Sequence, residues 1–215
     1  MLYIIGTPIG NLSDISFRAI ETLKSVDVIL CEDTRVSRKL LNHYEISKPT
    51  ISLHQHTTDD KTKSLLEKYE NIAYISDAGT PGISDPGGKL VELAVEADHE
   101  IVTIPGASAI ISALSVSGLP TDKFTFLGFM PRRGQTKVLE FIQNAQYTTC
   151  FYESPHRILK TLEALKPFVS SERKVVIGRE LTKKFETVYR GSLEDVLEQV
   201  KPKGEFVVII EKVKK

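Results

Sequence analysis

The stretch Ser76-Asp77-Ala78-Gly79-Thr80-Pro81-Gly82-Ile83-Ser84-Asp85-Pro86-Gly87-Gly88 constrains this chain more than any other. It holds four of the 13 glycines and two of the 10 prolines. Ahead of it, Ile72-Ala73-Tyr74-Ile75 is short and apolar, which predicts a buried strand. Behind it, Lys89 to Ala97 has helical character. The stretch is therefore a long loop at the carboxyl end of a strand, and in open α/β sheets that edge is where ligands bind. A purely structural βα turn needs only about 2–6 residues, and this loop has roughly twice that, which favours a ligand loop over a simple turn. Glycine lets a ligand approach the main chain, and proline keeps the loop stiff.

The same grammar recurs along the chain. Leu2-Tyr3-Ile4-Ile5 ends in Gly6-Thr7-Pro8-Ile9-Gly10-Asn11-Leu12, and Ser13 or Asp14 is expected to cap the helix that follows. Val26 to Cys31 ends at Glu32-Asp33-Thr34-Arg35, and Ile51-Ser52-Leu53 ends at His54-Gln55-His56. Asp59 or Asp60 begins the next helix, and Ile101-Val102-Thr103-Ile104 ends at Pro105-Gly106-Ala107-Ser108-Ala109. Five strands alternating with helices predict a mostly parallel sheet covered on both faces. From Leu119-Pro120 the rhythm changes. Strands are expected at 124–129, 148–152, 174–177, 187–190 and 206–210. The loops of this half are Met130-Pro131-Arg132-Arg133-Gly134, Glu153-Ser154-Pro155-His156-Arg157 and Gly178-Arg179-Glu180-Leu181. The expected organisation is an α/β protein of two α/β domains, 1–118 and 119–215, with the ligand cleft between them.

Composition removes several classes. Lysine plus arginine equals aspartate plus glutamate at 28 each, which opposes a protein that coats nucleic acid through a general basic field, though not a local basic surface. No apolar run approaches the roughly 20 residues of a membrane span. The chain opens directly on a strand, so no signal peptide and a cytoplasmic location are expected. Cys31 and Cys150 sit at or near the ends of apolar runs and read as buried thiols. There is no G-x-G-x-x-G after the first strand, no phosphate-binding G-x-x-x-x-G-K-[ST], no zinc spacing and no G-x-S-x-G elbow. His54 and His56 read as a solvated loop rather than a metal chelate. What remains is charge at strand ends. Each of Glu32 to Arg35, Glu153 to Arg157 and Arg179-Glu180 alone reads as a salt-bridged loop end, but together on one edge they suit a phosphate-bearing substrate.

Taken in order, Gly6 to Leu12, Glu32 to Arg35, Ser76 to Gly87, Pro105 to Ala109, Phe151 to Arg157 and Arg179-Glu180-Leu181-Thr182-Lys183 resemble the ribosomal RNA small-subunit methyltransferase I family of the tetrapyrrole methylase superfamily. The likeness runs from residue 2 to about 210; many relatives carry a further C-terminal segment beyond the position of Lys215. The resemblance implies S-adenosylmethionine as methyl donor, no metal, a homodimer, and 2′-O-methylation of a cytidine in the decoding region of small-subunit RNA, free or in the assembled subunit. It carries donor contacts onto Pro8, Asp77, Gly79, Thr80, Pro81, Ile83, Ser108, Ala109, Tyr152, Glu153, Gly204 and Glu205. Thr80 stands where the tetrapyrrole branch commonly has aspartate. For the ribose proton, Asp33, Glu153 and His156 are candidate bases. Arg35, Arg132, Arg133, Arg157, Arg179 and Lys183 are candidate phosphate contacts. A methyltransferase acting on a tetrapyrrole or another small molecule, and a non-catalytic RNA-binding module on the same fold, are the alternatives.

Overall fold

The computed structural model describes residues 1–213 apart from Gln55 and Pro86, which lie outside the described residues. The chain divides into two compact units, Met1–Ser108 and Ala109 onward.

In the first unit β1 (Leu2–Ile5), α1 (Phe17–Ser25), β2 (Val28–Cys31), α2 (Thr34–His43), β3 (Thr50–Ser52), α3 (Asp59–Lys68), β4 (Ile72–Ile75), α4 (Gly88–Glu96) and β5 (Ile101–Ile104) alternate. The sheet order is β3-β2-β4-β1-β5, and every pairing is parallel. Strands buried on both faces explain the uninterrupted Val/Ile/Leu runs. Leu2, Val28, Leu30, Ile72 and Tyr74 pack on one face against Leu65 and Leu66 of α3 and Leu90 and Leu93 of α4. Ile5, Ile29, Ala73, Ile75 and Ile104 pack on the other against Ala19 and Leu23 of α1 and Leu41 of α2. A parallel sheet necessarily brings all its carboxyl ends to one edge.

The first helix corrects one expectation. Its cap is Ser16, whose Oγ accepts from the Ala19 N–H at 3.1 Å, not Ser13 or Asp14. Those two belong to a separate 3-10 turn, Leu12–Asp14, capped by Asn11. Two competing hydroxyl and carboxyl caps lie within three residues of each other, and only Ser16 puts the α1 apolar stripe on the core.

The second unit holds α5 (Ala109–Ser115), β6 (Phe124–Phe129), α6 (Gln135–Gln143), β7 (Thr148–Glu153), α7 (Ile158–Leu165), β8 (Val175–Arg179), β9 (Thr187–Gly191), α8 (Leu193–Gln199) and β10 (Phe206–Ile210). Helix α5 contacts β10, so it belongs to this unit, ahead of the residue-118 boundary that the change in rhythm suggested. The sheet is mixed, in the order β6-β7-β10-β8-β9: β6 runs parallel to β7, and the other pairs are antiparallel. Because β10 runs against β7 and β8, its start, Phe206, lies opposite both Glu153 and Arg179. The loop ahead of β10 therefore shares an edge with the loops after β6, β7 and β8. Leu139, Ile142, Ile158, Leu162 and Val196 of α6, α7 and α8 cover one face, with Phe151, Val208 and Ile177. Cys31 and Cys150 are both free and buried, and burial pushes the Cys150 thiol up to about 12. Among the described residues no helix is long and apolar enough to cross a membrane.

Candidate active site

At the carboxyl edge of the first sheet, four loops are joined in strand order. After β2, the Asp33 N–H donates to Asp77 Oδ1, after β4, at 3.3 Å. Between the loops after β4 and β1, Thr7 and Gly79 form an antiparallel bridge: Thr7 N–H donates to Gly79 O at 2.8 Å, and Gly79 N–H donates to Thr7 O at 3.1 Å. The buried Thr7 hydroxyl donates toward the carbonyls of Ser76 and Gly79, 3.4 Å from each. Between the loops after β1 and β5, Gly6 and Gly106 touch main chain to main chain. A Cβ on Gly6 would stand 2.7 Å from the Gly106 nitrogen, and one on Gly106 would stand 2.6 Å from the Gly6 oxygen. Only glycine permits this approach.

Gly79 sits at φ 77°, and a Cβ there would reach 3.5 Å from Ile9 Cγ2 and 3.7 Å from the Ala107 oxygen. Gly79 is buried between the loops after β1 and β5, so the seam is closed at this point, and the positive φ rather than lack of room is what calls for glycine. Asp77 and Ile83 are exposed at this seam, Pro8, Thr80 and Ser108 partly exposed, and Pro81 buried. At the loop's far end Gly87 has φ 134°, and a Cβ there would collide with the Tyr74 ring at 2.6 Å. A cavity of about 420 Å³, lined by His54, Thr57, Asp85 and Lys89 among others, opens beside that far end rather than at the Gly79 seam. His54 Nδ1 accepts the His56 N–H at 3.2 Å, and no cluster of three or more metal-ligating side chains exists among the described residues.

Electrostatics at this edge are acidic. Asp33 caps α2, and its carboxylate takes the Arg35 guanidinium, at 2.6 Å from Nη2, and the Arg35 N–H, which holds it down to about 2. Burial raises both Glu32 and Asp77; repulsion from Asp77 adds to the rise at Glu32, and repulsion from Asp33 adds to the rise at Asp77. Burial, with repulsion from Glu32, lifts Asp85 to about 6.

The edge of the second sheet is built from charge. Glu153 is 3% exposed; its Oε2 accepts from Thr161 Oγ1 at 2.6 Å and meets Arg157 Nη2 at 3.1 Å, while Oε1 accepts the Ser154 N–H at 2.7 Å. Arg157 Nη2 also donates to the Met130 and Pro131 carbonyls, at 2.7 and 3.3 Å. Arg179 donates to the carbonyls of Lys203, at 2.6 Å, and Phe185. Lys183 bridges Glu180, at 2.9 Å, and Glu205, at 2.6 Å. Burial would raise Glu180, but Lys183 and the Glu205 N–H outweigh it and hold the carboxyl low. Gly204, at φ 96°, lies so close that a Cβ would strike Glu180 at 2.5 Å. His156 is exposed and makes no side-chain hydrogen bond among the described residues.

Of the six candidate phosphate contacts, four are thus engaged inside their own unit: Arg35, Arg157, Arg179 and Lys183. Arg132 and Arg133 are exposed and form no ion pair among the described residues. Thr7, Gly6, Gly106, Asp85 and Thr161 hold or charge this architecture without having been singled out. The repeat of Gly-Thr-Pro at 6–8 and 79–81 marks the Thr7–Gly79 bridge, whereas the roles of Asp85 and Thr161 depend on burial that no local pattern encodes.

A family model described as Tetrapyrrole (Corrin/Porphyrin) Methylases matches residues 1–197. The chain is 47% identical over 218 residues to a protein of Synechocystis sp. named ribosomal RNA small subunit methyltransferase I, covering 98% of this chain and 78% of that one. It is likewise 47% identical over 221 residues to the protein of that name from Haemophilus influenzae, with the same shares covered. Among solved structures it resembles uroporphyrin-III C-methyltransferase from Thermus thermophilus complexed with S-adenyl homocysteine, with a TM-score of 0.68 at 17% identity over 98% of this chain and 96% of that one. At that identity the likeness speaks to the fold. The chain belongs to the tetrapyrrole methylases and, within them, to the ribosomal RNA small subunit methyltransferase I family.

Proposed function

We propose that the protein is an S-adenosylmethionine-dependent methyltransferase acting on the 2′-oxygen of a cytidine ribose in the decoding region of small-subunit ribosomal RNA. The observation that carries the reading is the edge where the loops after β1, β4 and β5 join through the Thr7–Gly79 bridge and the Gly6–Gly106 contact, in a chain 47% identical to proteins named for that RNA. S-adenosylmethionine, when bound, supplies a sulfonium methyl with its own leaving group. Pro8, Asp77, Gly79, Thr80, Pro81, Ile83 and Ser108 of the first unit would hold it. The protein's part is positioning, which for well-oriented reactants contributes about 7–11 kcal/mol.

The surroundings of the three candidate bases favour His156 in this reading. Asp33, held at about 2 by Arg35, is too weak an acceptor for a ribose hydroxyl. Glu153 is buried with its carboxylate committed to Thr161, Ser154 and Arg157, so its role is to hold the end of β7. His156 is the exposed acceptor. Arg132 and Arg133 are the cations that meet RNA phosphate, and the reading includes a homodimer acting in the cytoplasm.

Incubation with radiolabelled donor and small ribosomal subunits, free small-subunit RNA or a tetrapyrrole tests this. Label in a cytidine ribose of the RNA is the expected result; label in the tetrapyrrole, or none, overturns it. In the same assay, Arg132→Gln should reduce the salt slope of RNA binding by about one and Lys183→Gln should leave it unchanged.

A further inference from the structure

We propose that Phe126, Phe129 and Tyr152, with Arg132 and Arg133 of the following turn, form a stacking site for one unpaired base of the RNA; this rests on the reading given under Proposed function. The site begins with an irregularity. Phe126 pairs in register with Cys150, but the register shifts before Phe129 pairs with Tyr152. Gly128, at φ 67°, lies within that shift. An extra residue in one strand turns the next side chain out of strict alternation. Leu127 goes to the core, while Phe126 and Phe129 both reach the Tyr152 ring, each with centroids 5.1 Å apart, at interplanar angles of 72° and 51°. Strand alternation sets Tyr152 on the sheet face opposite the core residue Phe151.

Single exposed apolar side chains are ordinary. Phe129 differs because it is 57% exposed while its ring is fixed by a neighbour. It stands on β6, which among the described residues pairs only with β7 and so forms a sheet edge. A fixed aromatic ring with an open face is what a splayed-out base stacks on, and a paired duplex hides the base faces it would need.

The basic turn is built onto the same support. Met130 N–H donates to Tyr152 O at 3.2 Å, and Met130 and Pro131 are held through their carbonyls by Arg157, itself held by Glu153. Tyr152 and Glu153 are neighbours on β7, so one strand end fixes both the ring cluster and the turn carrying Arg132 and Arg133. Those two unpaired guanidiniums match the phosphates flanking a stacked base, and their charge favours a polyanion over an apolar partner.

The test uses the full-length protein and a single-stranded oligoribonucleotide of decoding-region sequence carrying 2-aminopurine, whose fluorescence is quenched on stacking. Phe129→Leu keeps the apolar character and removes the π-face; Phe129→Tyr keeps both. Wild type and F129Y should quench the probe. F129L should bind it about tenfold more weakly without quenching, and its KM for the RNA substrate should rise while its KM for the donor stays unchanged. Absence of quenching by the wild type, or an unchanged KM for RNA in F129L, overturns the proposal. A shift of F129L from dimer to monomer in sedimentation, with RNA affinity per protomer unchanged, also overturns it and gives the patch to a second copy of the chain. Labelling of RNA by the wild type in the same preparation separates the two failures: if it persists, only the stacking site falls; if it is absent, the reading beneath it falls.

Discussion

At the carboxyl edge of the first sheet the loops meet through main chain: a two-bond bridge at Thr7 and Gly79, and a glycine-on-glycine contact at Gly6 and Gly106. At the corresponding edge of the second sheet they meet through charged side chains, with Glu153–Arg157 and the Glu180–Lys183–Glu205 chain. Main-chain contacts use up no side-chain charge, so the first edge keeps an acidic rim of Glu32, Asp77 and Asp85. Side-chain charge consumes most of its own cations, so the number of arginines in a loop overstates what is left for a polyanion.

Breaking one charge knot should have the largest effect. Arg157→Ala strands the buried Glu153 carboxylate and frees the Met130–Pro131 turn, and should cost about 3 kcal/mol, read by urea denaturation followed by circular dichroism. A loss below roughly 1 kcal/mol would show that Thr161 and Ser154 suffice for Glu153. Breaking the main-chain seam comes next. Gly6→Ala drives a Cβ into the Gly106 backbone and should cost about 1–3 kcal/mol, with donor affinity in calorimetry falling further than global stability does. Equal falls would mean that the seam serves folding alone.

The smallest effect sharpens the contrast by adding stability. The Asp85 carboxyl titrates at about 6 in the folded protein against about 3.9 unfolded. The folded state therefore holds this proton more tightly, and stability falls as pH rises from about 4 through 6, remaining lower above that range. Asp85→Asn removes the penalty. It should flatten stability between pH 4 and 7 and add on the order of 1 kcal/mol at pH 8, after solvent screening at a half-buried site. A variant no more stable than wild type at pH 8 would place Asp85 in water.

The interior strands β2, β4 and β10 were legible as short apolar runs because they are buried throughout, whereas the edge strand β6 was legible from its alternation. The close approach of the loops after β1, β4 and β5 was legible for a different reason: glycine and proline accumulate where loops must pass close to one another. Ser16 was missed as a cap because Ser13 and Asp14 carry equivalent chemistry nearby. The swing of Phe129 was illegible because its bulge depends on pairing with a strand about twenty residues away. Arg157, Arg179 and Lys183 looked available for RNA because sequence shows charges but not the partners that folding gives them.

The position of β1 also sets an order of events during synthesis. Leu2 pairs with Ile72 on one side and Ile101 on the other, so β1 is made before both of its neighbours and its interior position is completed only when the strand at Ile101 has left the ribosome. Until then its apolar edges wait for partners, and such long-range parallel pairing is slow. The Thr7–Gly79 bridge and the Gly6–Gly106 contact depend on the same long-range pairing, so the loops at this edge join only when the strands behind them have.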